Sequence, residues 1–63
     1  MKLKVEREVG PSALFGISDK ISLLLGKPVA VNLPDSVIFV WDGDEKDMET
    51  IRRAGYDFLK KTD

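Results

Sequence analysis

Residues 28 to 41 read Pro-Val-Ala-Val-Asn-Leu-Pro-Asp-Ser-Val-Ile-Phe-Val-Trp, and this stretch decides the fold. Val29, Val31 and Leu33 alternate with smaller or polar residues, the period-two pattern of a strand with one buried face. Pro34-Asp35-Ser36 is a turn signal. The five apolar residues from Val37 to Trp41 then make a second strand that is apolar on both faces. Pro28 has no N–H to give a neighbour and suits the rim of a sheet. The hairpin is therefore expected to put its first strand at an edge and its second in the middle, with Asp42-Gly43 ending it.

Upstream of the hairpin, Leu3, Val5 and Val9 lie on one side of residues 2 to 9, with Lys2, Lys4, Glu6 and Glu8 on the other, which predicts another half-buried strand. Gly10-Pro11 breaks it, and Pro is tolerated in the first turn of a helix. From Ser12 to Leu25, the residues Ala13, Leu14, Ile17, Ile21, Leu24 and Leu25 fall within one arc of about 120°, the stripe of a core-facing helix. Gly26 is its C-cap. The start is less defined, because Gly16 lowers helix propensity by about 1 kcal/mol and Ser18 offers a second N-cap.

Downstream, Asp44 and Asp47 have the spacing of an acidic relative of the capping box, and Glu45 adds charge near the positive end of the helix dipole. Met48, Ile51, Gly55, Phe58 and Leu59 continue at helical spacing. The pairs Glu49/Arg53, Arg53/Asp57 and Asp57/Lys61 are opposite charges four residues apart. A second helix reaching Leu59 is expected, with Gly55 where its backbone approaches the sheet most closely.

Together these elements predict one α+β domain over residues 1 to 63, in the order β-α-β-β-α. A helical crossover plus the hairpin gives a three-stranded sheet in the order 1-3-2 with both helices on one face. This is a ferredoxin-like arrangement lacking its last strand. In element order the chain resembles several small regulators, among them damage-inducible inhibitors of the bacterial recombinase. The likeness is one of fold alone, with no shared motif.

Composition removes several classes of function. Without Cys or His there is no disulfide, no zinc site of the usual kind, and no Ser-His-Asp or Cys-His catalytic group. The net charge of −1 is unevenly spread: residues 1 to 34 carry five Lys/Arg against three acids, residues 35 to 63 five against eight. That balance disfavours a nucleic-acid binder of the basic type. The five-residue apolar run is far short of the roughly 18 residues that span a bilayer. The opening residues lack the apolar stretch of a secretory signal, so a cytoplasmic protein with no membrane partner is expected.

Five places hold residues suited to chemistry or to contact. Gly10 to Ser18 holds two glycines, but they are separated by five residues and Ile17 stands where a phosphate loop has Lys, so a strand-to-helix turn accounts for them. The carboxylates of Asp42, Asp44, Glu45 and Asp47 have the oxygen chemistry of a Mg²⁺ or Ca²⁺ site, yet a turn followed by a helix cap explains them too. Phe39 and Trp41 share one side of a strand that helices can cover on one side only, which leaves either a contact surface or an aromatic platform for bases beside Lys2 and Lys4. Phe15 and Leu23 lie off the buried stripe of the first helix. Arg52, Arg53, Lys60 and Lys61 are expected on a solvated, ion-paired face.

The expectation from sequence is a small non-catalytic interaction or regulatory module, of the kind frequent in phages and mobile elements. No cofactor, metal or catalytic residue is assigned. Its partner-binding residues are Lys4, Glu6, Phe15, Leu23, Phe39 and Trp41, and its partners are a second copy of itself and another protein. The dimer would form either by pairing the first strand edge to edge, with Lys2, Lys4, Glu6 and Glu8 complementing one another across a two-fold axis, or by burying the open sheet face. The alternative is a nucleic-acid-binding module using Phe39, Trp41, Lys2 and Lys4. A carboxylate- or metal-dependent enzyme at Asp42/Asp44 comes third.

Overall fold

A computed structural model describes residues 1 to 62. The elements are β1 (Lys2–Val5), α1 (Pro11–Leu25), β2 (Val29–Asn32), β3 (Val37–Val40), α2 (Glu45–Arg53) and β4 (Leu59–Lys61). They form a small α+β domain in which an antiparallel sheet of four strands, ordered β2-β3-β1-β4, carries two helices. The 1-3-2 arrangement expected from the sequence is embedded in it, with a fourth strand added beside β1. Two interlocked βαβ units result, the complete ferredoxin-like connectivity.

Side chains directly opposite one another across two strands share a face, so the register sorts the sheet. Leu3 lies opposite Ile38 and Val5 opposite Leu59. These four, with Val40, meet Leu14 and Ile21 of α1 and Met48 and Ile51 of α2 in one buried cluster. Each such side chain contributes about 1.5–3 kcal/mol by leaving water. Both helices therefore cover the same face, the one presented by Ile38 and Val40. On α1 the stripe is rotated slightly from the expected arc: Ser18 is buried and donates its hydroxyl to the Phe15 carbonyl at 2.9 Å, while Ala13 and Leu24 are exposed. Ser18 is no cap, because the helix starts at Pro11 with Gly10 as N-cap. Gly26 closes it in the left-handed conformation, φ 66°, its N–H bonded to the Ser22 carbonyl at 2.9 Å.

The C-terminal segment departs from expectation for a backbone reason. Helix α2 ends at Arg53 with Ala54 as its cap, and Gly55 follows at φ 98°. This conformation is open to glycine and strained for other residues. Gly55 is thus a helix stop; a Cβ there would meet nothing within 4 Å, so it marks no close approach to the sheet. The Gly55 N–H bonds to the Arg52 carbonyl at 3.0 Å, and the chain turns into β4. Leu59 enters the core from that strand and not from a helix. Asp57 and Lys61 lie beyond the helix, so the spacing of Arg53/Asp57 and Asp57/Lys61 is no longer helical, whereas Glu49/Arg53 forms at 3.1 Å. Lys61 instead reaches Glu45 at 2.7 Å and ties β4 to the first turn of α2.

The added strand also overturns the expected edge. β1 is an inner strand, hydrogen-bonded on both sides, and its backbone has no free row of donors and acceptors to offer a second copy. It ends at Val5, short of the expected residue 9. The rims are β2, bracketed by Pro28 and Pro34, and β4, three residues long with two lysines. No helix is long and apolar enough to cross a membrane among the described residues.

Candidate functional site

The sheet face turned away from the helices carries Ala30 and Asn32 from β2, Val37 and Phe39 from β3, Lys2 and Lys4 from β1, and Lys60 from β4. Phe39 stands directly opposite Lys2 on one side and Ala30 on the other. Alanine is too small to cover the ring, which stays 36% exposed. The Lys2 ammonium lies 6.0 Å from the ring centroid, within cation–π range. The Trp41 N–H bonds to the Pro28 carbonyl at 3.0 Å, one residue past the last ladder pair. That extension of the hairpin puts the indole on the Phe39 side, 55% exposed. Phe39 and Trp41 line a depression of about 320 Å³ together with Met1 and Asp42.

A second depression of about 510 Å³ lies along the same face, bounded by Lys2, Lys4, Val37, Pro34, Asp35 and Thr62. Val37 forms its floor and is buried between Asn32 and Lys4, its partners across the two ladders. Lys60 faces Glu6 at 3.7 Å. Glu6 follows the end of β1, so this pair closes one end of the surface within a single chain. The open face is thus aromatic at one end and lysine-walled at the other.

The carboxylate loop after β3 has its own structural account. Asp42 adopts φ 58°, a left-handed conformation that Asp tolerates better than most residues. Its carbonyl accepts from the Lys27 ammonium at 2.7 Å. Asp44 caps α2 by accepting from the Asp47 N–H at 3.0 Å, and the Asp47 carboxylate accepts from the Asp44 N–H at 3.0 Å, a complete capping box. Asp47 also accepts from Lys27, which is therefore bonded at once to the loop and to the helix start. The lysine's hydrogen bond to Asp47 raises its pKa, and the same bond holds the Asp47 carboxyl below its ordinary value, in each case against a smaller opposing effect of burial. Among the described residues no three His, Cys, Asp or Glu side chains are grouped to hold a metal ion.

Comparison with protein-family models, curated proteins and solved structures gives no match. Function must be argued from the residues.

Of the candidate residues, Lys4, Phe39 and Trp41 come together on the open face with Lys2 beside them. Glu6 lies at one end of that face, engaged with Lys60 and not aligned along a β1 edge. Phe15 and Leu23 belong to α1, in the helix layer on the opposite side, 48% and 84% exposed. They form no common surface with the aromatic pair. Two residues were missed. Helical spacing carried past Gly55 hides the place of Lys60, and the signal that locates it is Gly55 two residues beyond the basic last turn Arg52-Arg53, a regular helix stop. Lys27 carries no sequence cue linking it to Asp47, 20 residues on; that contact arises from the packing of α2 beside the end of α1.

Proposed function

We propose that the chain is a non-catalytic binding module that engages a macromolecule through the open face of its sheet. The observation that supports this is the exposed pair Phe39 and Trp41 on a face no helix covers, next to Lys2 and Lys4. Exposed aromatic rings concentrated on one surface mark interaction sites more often than chance would place them there. The neighbouring carboxylates support no competing catalytic role, since Asp44 and Asp47 serve the helix cap and Lys27.

Self-association is less favourable on this surface. Around Phe39 and Trp41 the face carries Lys2, Lys4 and Lys60 together with Glu6, Asp35 and Asp42, so two copies laid face to face would bury charges of both signs at a cost in desolvation. The first-strand edge that offered the other route to a dimer is occupied by β4. A foreign partner is the better occupant.

The test is a photoreactive benzoylphenylalanine in place of Ala30, which stands opposite Phe39. Irradiation of cells expressing the protein should give adducts that disappear when Phe39 and Trp41 are both replaced by Ser in a variant of unchanged fold. Absence of any adduct, to protein or to nucleic acid, refutes the proposal.

A further inference from the structure

The open face presents flat rings and ammonium groups on adjacent strands, and we infer that its occupant is single-stranded nucleic acid, its bases stacked on Phe39 and Trp41 and its phosphates beside Lys4 and Lys2. The inference rests on the sheet-face proposal above and names the partner class.

Three observations carry it. First, Phe39 and Trp41 expose ring surface within one depression, and base stacking needs only such surface. Second, the adjoining depression is walled by Lys2 and Lys4, directly across from Phe39 and Val37. A nucleotide likewise joins a planar apolar ring to an anion, so one strand laid over the face satisfies both depressions in turn. Lys4 makes no ion pair among the described residues. Third, part of the chain's acidity lies elsewhere: Glu45, Asp47 and Glu49 sit on α2, in the helix layer behind the sheet, which leaves Asp35 and Asp42 at the borders of the two depressions and Glu6 paired with Lys60. The polar group best placed to read a base edge, the Asn32 carboxamide, is turned to Asp35, with N···O 3.3 Å. Binding should therefore tolerate sequence and discriminate against duplex, whose bases present no free faces.

The test uses oligothymidylate and oligoadenylate of about 8 to 12 nucleotides, within the span of small single-strand binders, at low salt. Binding is read by quenching of Trp41, the sole tryptophan, and by anisotropy of the labelled strand. We expect saturation in roughly the 1–100 μM range of sequence-independent binding, with duplex at least tenfold weaker. Phe39→Leu, which keeps an apolar strand residue, should weaken binding by roughly 5- to 150-fold, the effect of removing one stacking partner. Lys4→Gln should make the slope of log affinity against log salt shallower by about 0.7. Lys20→Gln, an exposed lysine of α1 on the far layer, should change neither.

Equal binding of duplex, or indifference to Phe39→Leu, would reduce the effect to charge alone and overturn the inference. Failure to bind oligonucleotide, with Ala30 crosslinking to protein, overturns it while leaving the sheet face as the binding surface. No crosslink of either kind removes both.

Discussion

Gly16 and Gly55 provide a decisive pair, because a methyl group added at either would meet nothing within 4 Å. Packing cannot separate them, and the backbone must. Gly16 lies inside α1 with ordinary helical geometry, so Gly16→Ala should stabilise by about 1 kcal/mol through helix propensity. Gly55 lies at φ 98°, where a side chain is strained by about 1–3 kcal/mol. The smaller conformational freedom of the unfolded Ala chain returns about 0.4–1 kcal/mol. Gly55→Ala should therefore destabilise by roughly 0.5–2 kcal/mol. At about 4–8 °C per kcal/mol for a domain of this size, the two variants move the melting temperature in opposite directions. Thermal and urea unfolding followed by far-ultraviolet circular dichroism and Trp41 fluorescence would measure both. A stabilised Gly55→Ala refutes the reasoning: it would mean the chain runs on as helix through residues 54 to 59 and that β4 does not exist.

Other consequences follow from the same geometry. Asp44→Ala removes the acceptor that caps α2 and should cost about 1 kcal/mol, read as a lower urea midpoint; an unchanged midpoint would show the capping box idle. Leu59→Ala should cost about 2–5 kcal/mol, a large part of the roughly 3–9 kcal/mol expected of a chain this size, whereas Lys60→Ala should cost no more than about 1; comparable losses would place Leu59 outside the core. The Lys27–Asp47 contact predicts a pH profile with two shoulders. Asp47 is lowered from 3.8, so its contribution is complete above that pH and is lost as pH falls through its folded value; Lys27 is raised from 10.5, so its contribution is complete below that pH and is lost as pH rises through its folded value. Asp47→Asn should flatten both shoulders in urea titrations across pH, and an identical profile in the variant would count against the pair.

What the sequence revealed, and what it hid, can be traced to single residues. The hairpin, the central position of β3, the cap at Gly26 and the Asp44/Asp47 box all depend on local pattern or turn chemistry, and all are present. The C-terminal strand was hidden because Met48, Ile51, Phe58 and Leu59 satisfy helical spacing; three residues of strand are too few to establish a period of their own. Gly55 held the contrary information, but a helical glycine and a helix-stopping glycine differ only in φ. For the surface, the alternation of residues 37 to 41 showed that two aromatics share a side. Which side the helices take depends on the long-range contacts of Ile38 and Val40 with both helices. Lys60 reached the open face only through the strand that was missed.

The closing of the two rims bears on how the protein behaves when crowded. A sheet recruits further copies by templating: an unpaired strand edge accepts another chain, and repetition gives cross-β growth. Here β2 offers four residues between Pro28 and Pro34, and β4 offers three, Leu-Lys-Lys. An incoming strand would find four backbone residues to pair with on one side, closed off by a proline at each end, and three on the other. The apolar run Val37 to Trp41, the segment best suited by composition to seed fibrils, is held in β3 between β2 and β1 and becomes available only if the domain unfolds. Resistance to fibril formation is therefore tied to global stability: stabilising the fold should lengthen the lag before any aggregation, and conditions that melt it should release the seed.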